Sequence, residues 1–325
     1  MYDRVYAFFP PKLCLQSDPS RLKSLFRRPL PLSVRHLSAN TQEELDSLGV
    51  VRGLVEQSLV RNELAIPSLP EVAVRVVGSG TKNSGNAHLL AEIIQADAAL
   101  TEYVLRIASS AAKRPALPIT SLQHAIAWLG LDEVANIAFT LALQGRMLHV
   151  DGQHRKARRL WRHSLASALW ARQLAHLLHR ETGLCYLCGL LHNIGRAVAL
   201  GAVHDVAQRA GLELSGCDYD GLIEIFSRDI GQRVMSAWVL PPPVLDVVAR
   251  WDNYASAGAL RWESNVVNVA HKLADFTLCE PCMLTRELLL MDRGFRDLGL
   301  SVQHAEPLFD SSIAINAELD RYLSP

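Results

Sequence analysis

Leu187-Cys188-Gly189-Leu190-Leu191-His192-Asn193-Ile194-Gly195-Arg196 is an apolar run at helical spacing that carries a histidine to its C-terminal end and then stops on glycine. An imidazole delivered into apolar surroundings is either a hydrogen-bonded core histidine or a ligand. The neighbour at 193 sets the chemistry open to it. A carboxylate would bring a full negative charge and two acceptor oxygens, whereas the amide of Asn193 is neutral and offers one carbonyl acceptor. A divalent cation would therefore find no anionic ligand at position 193.

Outward from this run the chain reads as helices. Thr41-Gln42-Glu43-Glu44 has capping-box spacing, and Leu45, Leu48, Val51, Val55 and Leu59 then give one apolar face through about Glu63. Ile66-Pro67-Ser68-Leu69-Pro70 breaks that helix, since each proline lacks an amide donor. A second helix starts at Glu71 and ends at Gly78-Ser79-Gly80, and the pattern resumes from Leu89 to Ile107 with Asp97 capping between two short helices. Ser121 and Gly130 bracket another helix as cap and stop, Asp132 caps one running to about Gly145, and Gln153 to His179 makes one long helix carrying His163. Further helices are expected over 198–210, 220–238, 244–251 and 262–279, the third preceded by Leu240-Pro241-Pro242-Pro243. The tail from Met283 to Leu323 is helical by its leucine spacing, divided at Gly294, Gly299 and Pro307. No strand-like alternation or fixed-period repeat emerges, so the expected fold class is all-α.

Composition bounds the partners. With 325 residues, 49% of them hydrophobic, the chain can bury a large core, and its 33 basic and 33 acidic residues cancel. Net charge gives no general reason to expect nucleic acid or an anionic membrane, so local clusters must carry any such claim. The apolar runs read as too short to span a bilayer, and the early Asp3, Pro10 and Pro11 do not suit a signal peptide; a cytoplasmic protein without a membrane span is expected. Residues 1–40 form a basic, proline-containing arm with Arg4, Lys12, Arg21, Lys23, Arg27, Arg28 and Arg35, expected to lie over the domain or to be partly disordered, or else to contact an acidic partner. The densest basic cluster is Arg155, Lys156, Arg158, Arg159 and Arg162. It is either a solvated helix face or a docking surface for an acidic partner or for the phosphates of a nucleotide or nucleic acid. The C-x-x-C pairs Cys185/Cys188 and Cys279/Cys282 match zinc or redox spacing, but the first lies in an apolar helix where small residues mark close packing.

The order of phrases resembles the HDOD family, the HD-related output domain of bacterial signalling proteins. Leu69-Pro70-Glu71-Val72 resembles its opening motif, Leu90 to Leu100 its LAxxIxxDPxL phrase with Ala98 for proline, and Ile119 to Gly130 its ITSLxxAIxxLG phrase. Leu160-Trp161-Arg162-His163-Ser164 is similar to LWxHS, Gly189 to Gly195 to GLLHDIG except at Asn193, and Ala237 to Pro241 to xxWxLP. Together these cover roughly residues 66–275 in the family's order.

The resemblance implies a multi-helix bundle in which an N-terminal helical lobe packs on an HD-like lobe. It divides the chain into the arm 1–40, a helix over 41–65, the HDOD domain over 66–280 and a helical extension over 281–325. In catalytic HD enzymes a histidine, a His-Asp pair and a later aspartate hold the metal that activates water. Here the corresponding positions are His163, His192 with Asn193, and either His271 or Asp275 one turn on. Where many relatives have a His-His pair, this chain has Arg250-Trp251-Asp252-Asn253. The expectation is therefore a non-catalytic output module with no catalytic residue, no metal and no cofactor, which regulates other signalling proteins by contact. A divergent metal-dependent phosphohydrolase, and a regulator binding a cyclic dinucleotide or nucleic acid through the basic cluster, stand as alternatives.

Overall fold

The computed structural model describes residues 39–82, 87–109, 119–148, 150–238, 240–278 and 284–323, and among these every regular element is helical. The basic arm and the Cys279/Cys282 pair lie outside the described residues, except that Ala39 and Asn40 open the first helix.

That helix, α1 (Ala39–Val60), begins two residues before Thr41, so the threonine is inside the helix and not its cap. Val51, Val55 and Leu59 are buried as their spacing predicts. The helices α2 (Glu71–Lys82), α3 (Ala87–Gln95), α4 (Ala98–Ser109), α5 (Leu122–Leu129) and α6 (Leu131–Met147) form the N-terminal lobe, packed around α6. The glycines at 78 and 80 do not end α2, which runs on to Lys82. Asp97 does cap α4, its Oδ1 accepting from the Leu100 amide at 3.0 Å, and Ser121 caps α5 through the His124 amide at 3.1 Å. Gly130, at φ 92°, separates α5 from α6 and occupies the cap position expected of Asp132, which sits in the first turn.

The second lobe is built on three helices: α7 (His154–Leu177), α8 (Thr182–Leu191) and α12 (Arg261–Thr277), with α7 packed on both of the others. Around them lie α9 (Ile194–Ala210), α10 (Gly216–Ala237), α11 (Pro242–Arg250) and two 3₁₀ turns, Trp251–Ser256 and Gly258–Leu260. Three of them, α9, α10 and α11, start earlier than their sequence pattern suggests. The capping box that opens α10 is Ser215 with Asp218, and a proline occupies the first turn of α11, where its missing amide costs nothing.

Gly195 is not a stop. It lies inside α9 against α10, where an added Cβ would sit 2.0 Å from the Ser227 carbonyl oxygen and 2.8 Å from Gly231 Cα. Gly189 has the same function between α8 and α7, its would-be Cβ 2.8 Å from the Ser167 carbonyl oxygen. Across the His192–Asn193 turn, Thr182–Ala210 reaches the length and apolarity of a membrane span, longer than the run seen in sequence. Its most apolar window is 72% buried inside the bundle.

The tail forms α13 (Arg286–Met291), α14 (Arg293–Asp297), α15 (Val302–Asp310) and α16 (Ser312–Leu323). Only Gly299 divides it as expected: Gly294 lies within α14 pressed against Asn265 and Val269, and Pro307 lies within α15. The lobes meet through α6 and α8, and Trp238 Nε1 at the end of α10 donates to the Pro67 carbonyl ahead of α2 at 2.8 Å. The first helix α1 leans on α9 of the second lobe, with Arg233 Nη1 donating to Asn62 Oδ1 at 2.9 Å.

Candidate functional site: a buried histidine cluster

The five residues of the HD-like pattern come together where α7, the α8–α9 turn and α12 meet. His163 projects from α7, His192 ends α8, Asn193 opens α9, and His271 and Asp275 stand one turn apart on α12. His163, His192 and Asn193 are buried, and each of the three imidazoles brings a ring nitrogen within 4.8 Å of the others. Neither His271 nor Asp275 has to be chosen over the other, because both reach the site.

The hydrogen bonds close in one way when all three rings are neutral. His163 Nε2 lies 2.9 Å from Asp275 Oδ1, and a carboxylate only accepts, so Nε2 donates. His163 Nδ1 then carries a lone pair, and Asn193 Nδ2 donates to it at 3.2 Å. His192 Nδ1 donates to the Gly189 carbonyl at 2.6 Å, which leaves His192 Nε2 to accept from His271 Nδ1 at 3.0 Å. Asn193 occupies the N-cap position of α9, where asparagine commonly satisfies a backbone amide, yet its side chain makes no cap. It is turned to His163 instead.

Electrostatics agree with neutral rings at His192 and His271. Burial lowers the His192 pKa to about 3, helped by His163, and burial with the same neighbours holds His271 well below the usual histidine range. Trp251 lies edge-on to His192 with ring centroids 4.8 Å apart, and also 4.8 Å from His271. The tryptophan thus roofs two imidazoles at the place where the resemblance implied a histidine pair. Sequence reading noted the replacement without giving it this position.

The three imidazoles are close enough to share a metal ion, but such an ion would compete with this arrangement. In it His163 uses both nitrogens, and His192 Nε2 and His271 Nδ1 are bonded to each other. A shared ion would have to break those bonds, and position 193 offers an amide where the hydrolase pattern has its anionic ligand. A carboxylate at 193 would also face the lone pair of His163 and could not donate to it.

The basic cluster on α7 is largely committed within the chain. Lys156 Nζ donates to Asp220 Oδ1 at 2.5 Å and to the Gly216 carbonyl at 2.9 Å, Arg162 pairs with Asp320 at 3.6 Å, and Arg158 reaches the Leu323 carbonyl at 3.5 Å. Arg155 is exposed, and Arg159 is half-buried one turn before His163. Cys185 and Cys188 are buried free thiols whose pKa values burial pushes up, which makes both poor nucleophiles. Cys217 is disulfide-bonded.

Comparison with known proteins agrees with the geometry. The HDOD domain model matches residues 66–254, so α12, with His271 and Asp275, lies beyond the matched segment. The chain is similar to the crystal structure of an HDOD domain protein of unknown function from Geobacter sulfurreducens, with TM-score 0.66 and 19% identity over 85% of this chain and 99% of that one. It is also similar to a provisionally assigned metal-dependent phosphohydrolase from Shewanella amazonensis, with TM-score 0.64 and 21% identity over 84% and 99% of the two chains. A provisionally assigned signal transduction protein from Marinobacter aquaeolei follows at TM-score 0.58 and 24% identity, over 88% and 68%. An uncharacterized protein of Treponema pallidum is 23% identical over 191 residues, 56% of this chain and 37% of that protein's length.

Proposed function

The chain belongs to the HDOD family, and we propose that it acts as a non-catalytic signalling module that regulates partner proteins by contact. One observation carries the reading: Asn193 donates a hydrogen bond to His163, a role the hydrolase's carboxylate cannot take. The amide stands where the hydrolase pattern has an anionic ligand for the ion that activates water in phosphate-ester hydrolysis. The Marinobacter neighbour, a provisionally assigned signal transduction protein, points the same way, while the Shewanella neighbour keeps the hydrolase alternative worth testing.

Phosphate release provides that test. Purified full-length protein is incubated with nucleotides and cyclic dinucleotides in the presence of magnesium, manganese or iron. The expected result is release no faster than in the protein-free control. Metal-dependent turnover that His192→Ala abolishes would refute the reading.

The basic cluster gives a second reading less support, because Lys156, Arg158 and Arg162 already have partners within the chain. If it binds nucleic acid or a cyclic dinucleotide, affinity falls with salt and the slope shrinks in Arg155→Ala and Arg159→Ala.

A further inference from the structure

The C-terminal helix α16 lies in a groove lined by α6, α7 and the end of α12. Ile315, Leu319 and Tyr322 point into it and are buried to 4%, 0% and 1% exposure, a spacing of four and three residues that lines one face of a helix. Helix-in-groove recognition uses anchors at this spacing. Both ends are fastened: Asn316 Nδ2 donates to the Thr277 carbonyl at 3.3 Å, and Gln144 Nε2 to the Tyr322 carbonyl at 3.3 Å.

The charges are complementary. Glu318 accepts from Arg172 Nη2 through both oxygens, at 2.8 and 2.9 Å, and Asp320 pairs with Arg162 at 3.6 Å. Arg158 reaches the last carbonyl of the helix, where a cation suits the helix dipole.

Arg172 holds a second carboxylate, Glu133, which belongs to α6 and not to α16. Departure of α16 therefore leaves no bare buried cation, the outcome that would make opening most costly. It leaves the apolar seats of Ile315 and Leu319, the seat of Tyr322 beside Tyr186, and an excess of arginine, because Arg158 and Arg162 lose their partners. Such a groove fits an amphipathic helix with acidic side chains.

We propose that this groove is the docking site for an acidic amphipathic helix of a partner protein, and that the chain's own α16 closes it as an internal competitor. The proposal rests on the reading of the protein as a contact-based signalling module and names where the contact is made.

A labelled peptide with the sequence of residues 311–325 serves as the probe, and the full-length chain as receptor. Leu319→Ala removes an anchor from the internal helix and leaves the groove walls intact. The peptide is expected to bind the Leu319→Ala chain at least 10-fold more tightly than the wild type. Binding should weaken with salt and weaken further when Arg158→Glu and Arg162→Glu are added to the receptor. Equal or absent binding to both chains overturns the proposal, as does equal binding of an acidic peptide whose three anchors are replaced by alanine.

Should Leu319→Ala fail to fold, the milder Glu318→Gln chain takes its place under the same criteria. Hydrogen exchange on the wild type gives an independent check: residues 312–323 should exchange as a unit ahead of α7. Exchange of α16 only together with α7 would mean that the groove never opens, and would also overturn the proposal. Phosphate turnover refutes the non-catalytic reading without bearing on the groove, and failed peptide binding leaves that reading untouched.

Discussion

Asn193 is where a single side chain decides the chemistry. Its amide can donate to the His163 lone pair and a carboxylate cannot, so Asn193→Asp buries a charge that must draw a proton or a cation. A loss of about 1–3 kcal/mol is expected in the absence of metal, read from denaturant midpoints. Millimolar manganese should restore much of that loss in the variant and leave the wild type unchanged; equal responses would count against the arrangement. The low pKa of His192 fixes a pH dependence. Between the ordinary histidine value of 6.5 and about 3 the unfolded chain binds a proton that the folded chain refuses, so stability falls as pH drops through that window. Thermal midpoints should descend from pH 7 to pH 4, and His192→Gln should flatten the descent. All five residues of the site were legible in sequence through the HD-like phrases. Their hydrogen bonds were not, because which atom of Asn193 faces His163 depends on how the α8–α9 turn is aimed against α7.

At the scale of elements, the phrases located nearly every helix but misread several ends, because glycine has two uses. Gly130 breaks a helix through its positive φ, as its position suggests, while Gly195 continues one so that α9 and α10 can touch. The sequence around the two glycines does not distinguish them; the partner helix does. Gly195→Ala should therefore cost several kcal/mol or prevent folding, since its Cβ would overlap backbone atoms of α10. Gly49, exposed within α1 and with nothing within 4 Å of an added Cβ, should gain about 0.5–1 kcal/mol on replacement by alanine. Urea unfolding of the two variants compares a packing glycine with a merely permissive one, and similar effects in both would contradict the distinction.

Across the whole molecule, the two-lobed all-helical plan followed from the phrase order, whereas the contacts that join the lobes to each other and to the tail did not. Trp238 to Pro67 and Glu318 to Arg172 span 171 and 146 residues, and no local pattern announces such pairs. Trp238→Phe keeps most of the ring and removes the donor to Pro67; a loss of about 1–2 kcal/mol in denaturant unfolding is expected. The account as a whole depends on three neutral imidazoles, one of which accepts from the Asn193 amide. Nitrogen-15 NMR of the histidine rings at pH 7, with and without millimolar divalent metal, measures that state. The result expected is a proton on Nε2 of His163 and on Nδ1 of His192 and His271, unaltered by metal. Metal-shifted nitrogens on these rings, or an imidazolium at His163, would contradict it.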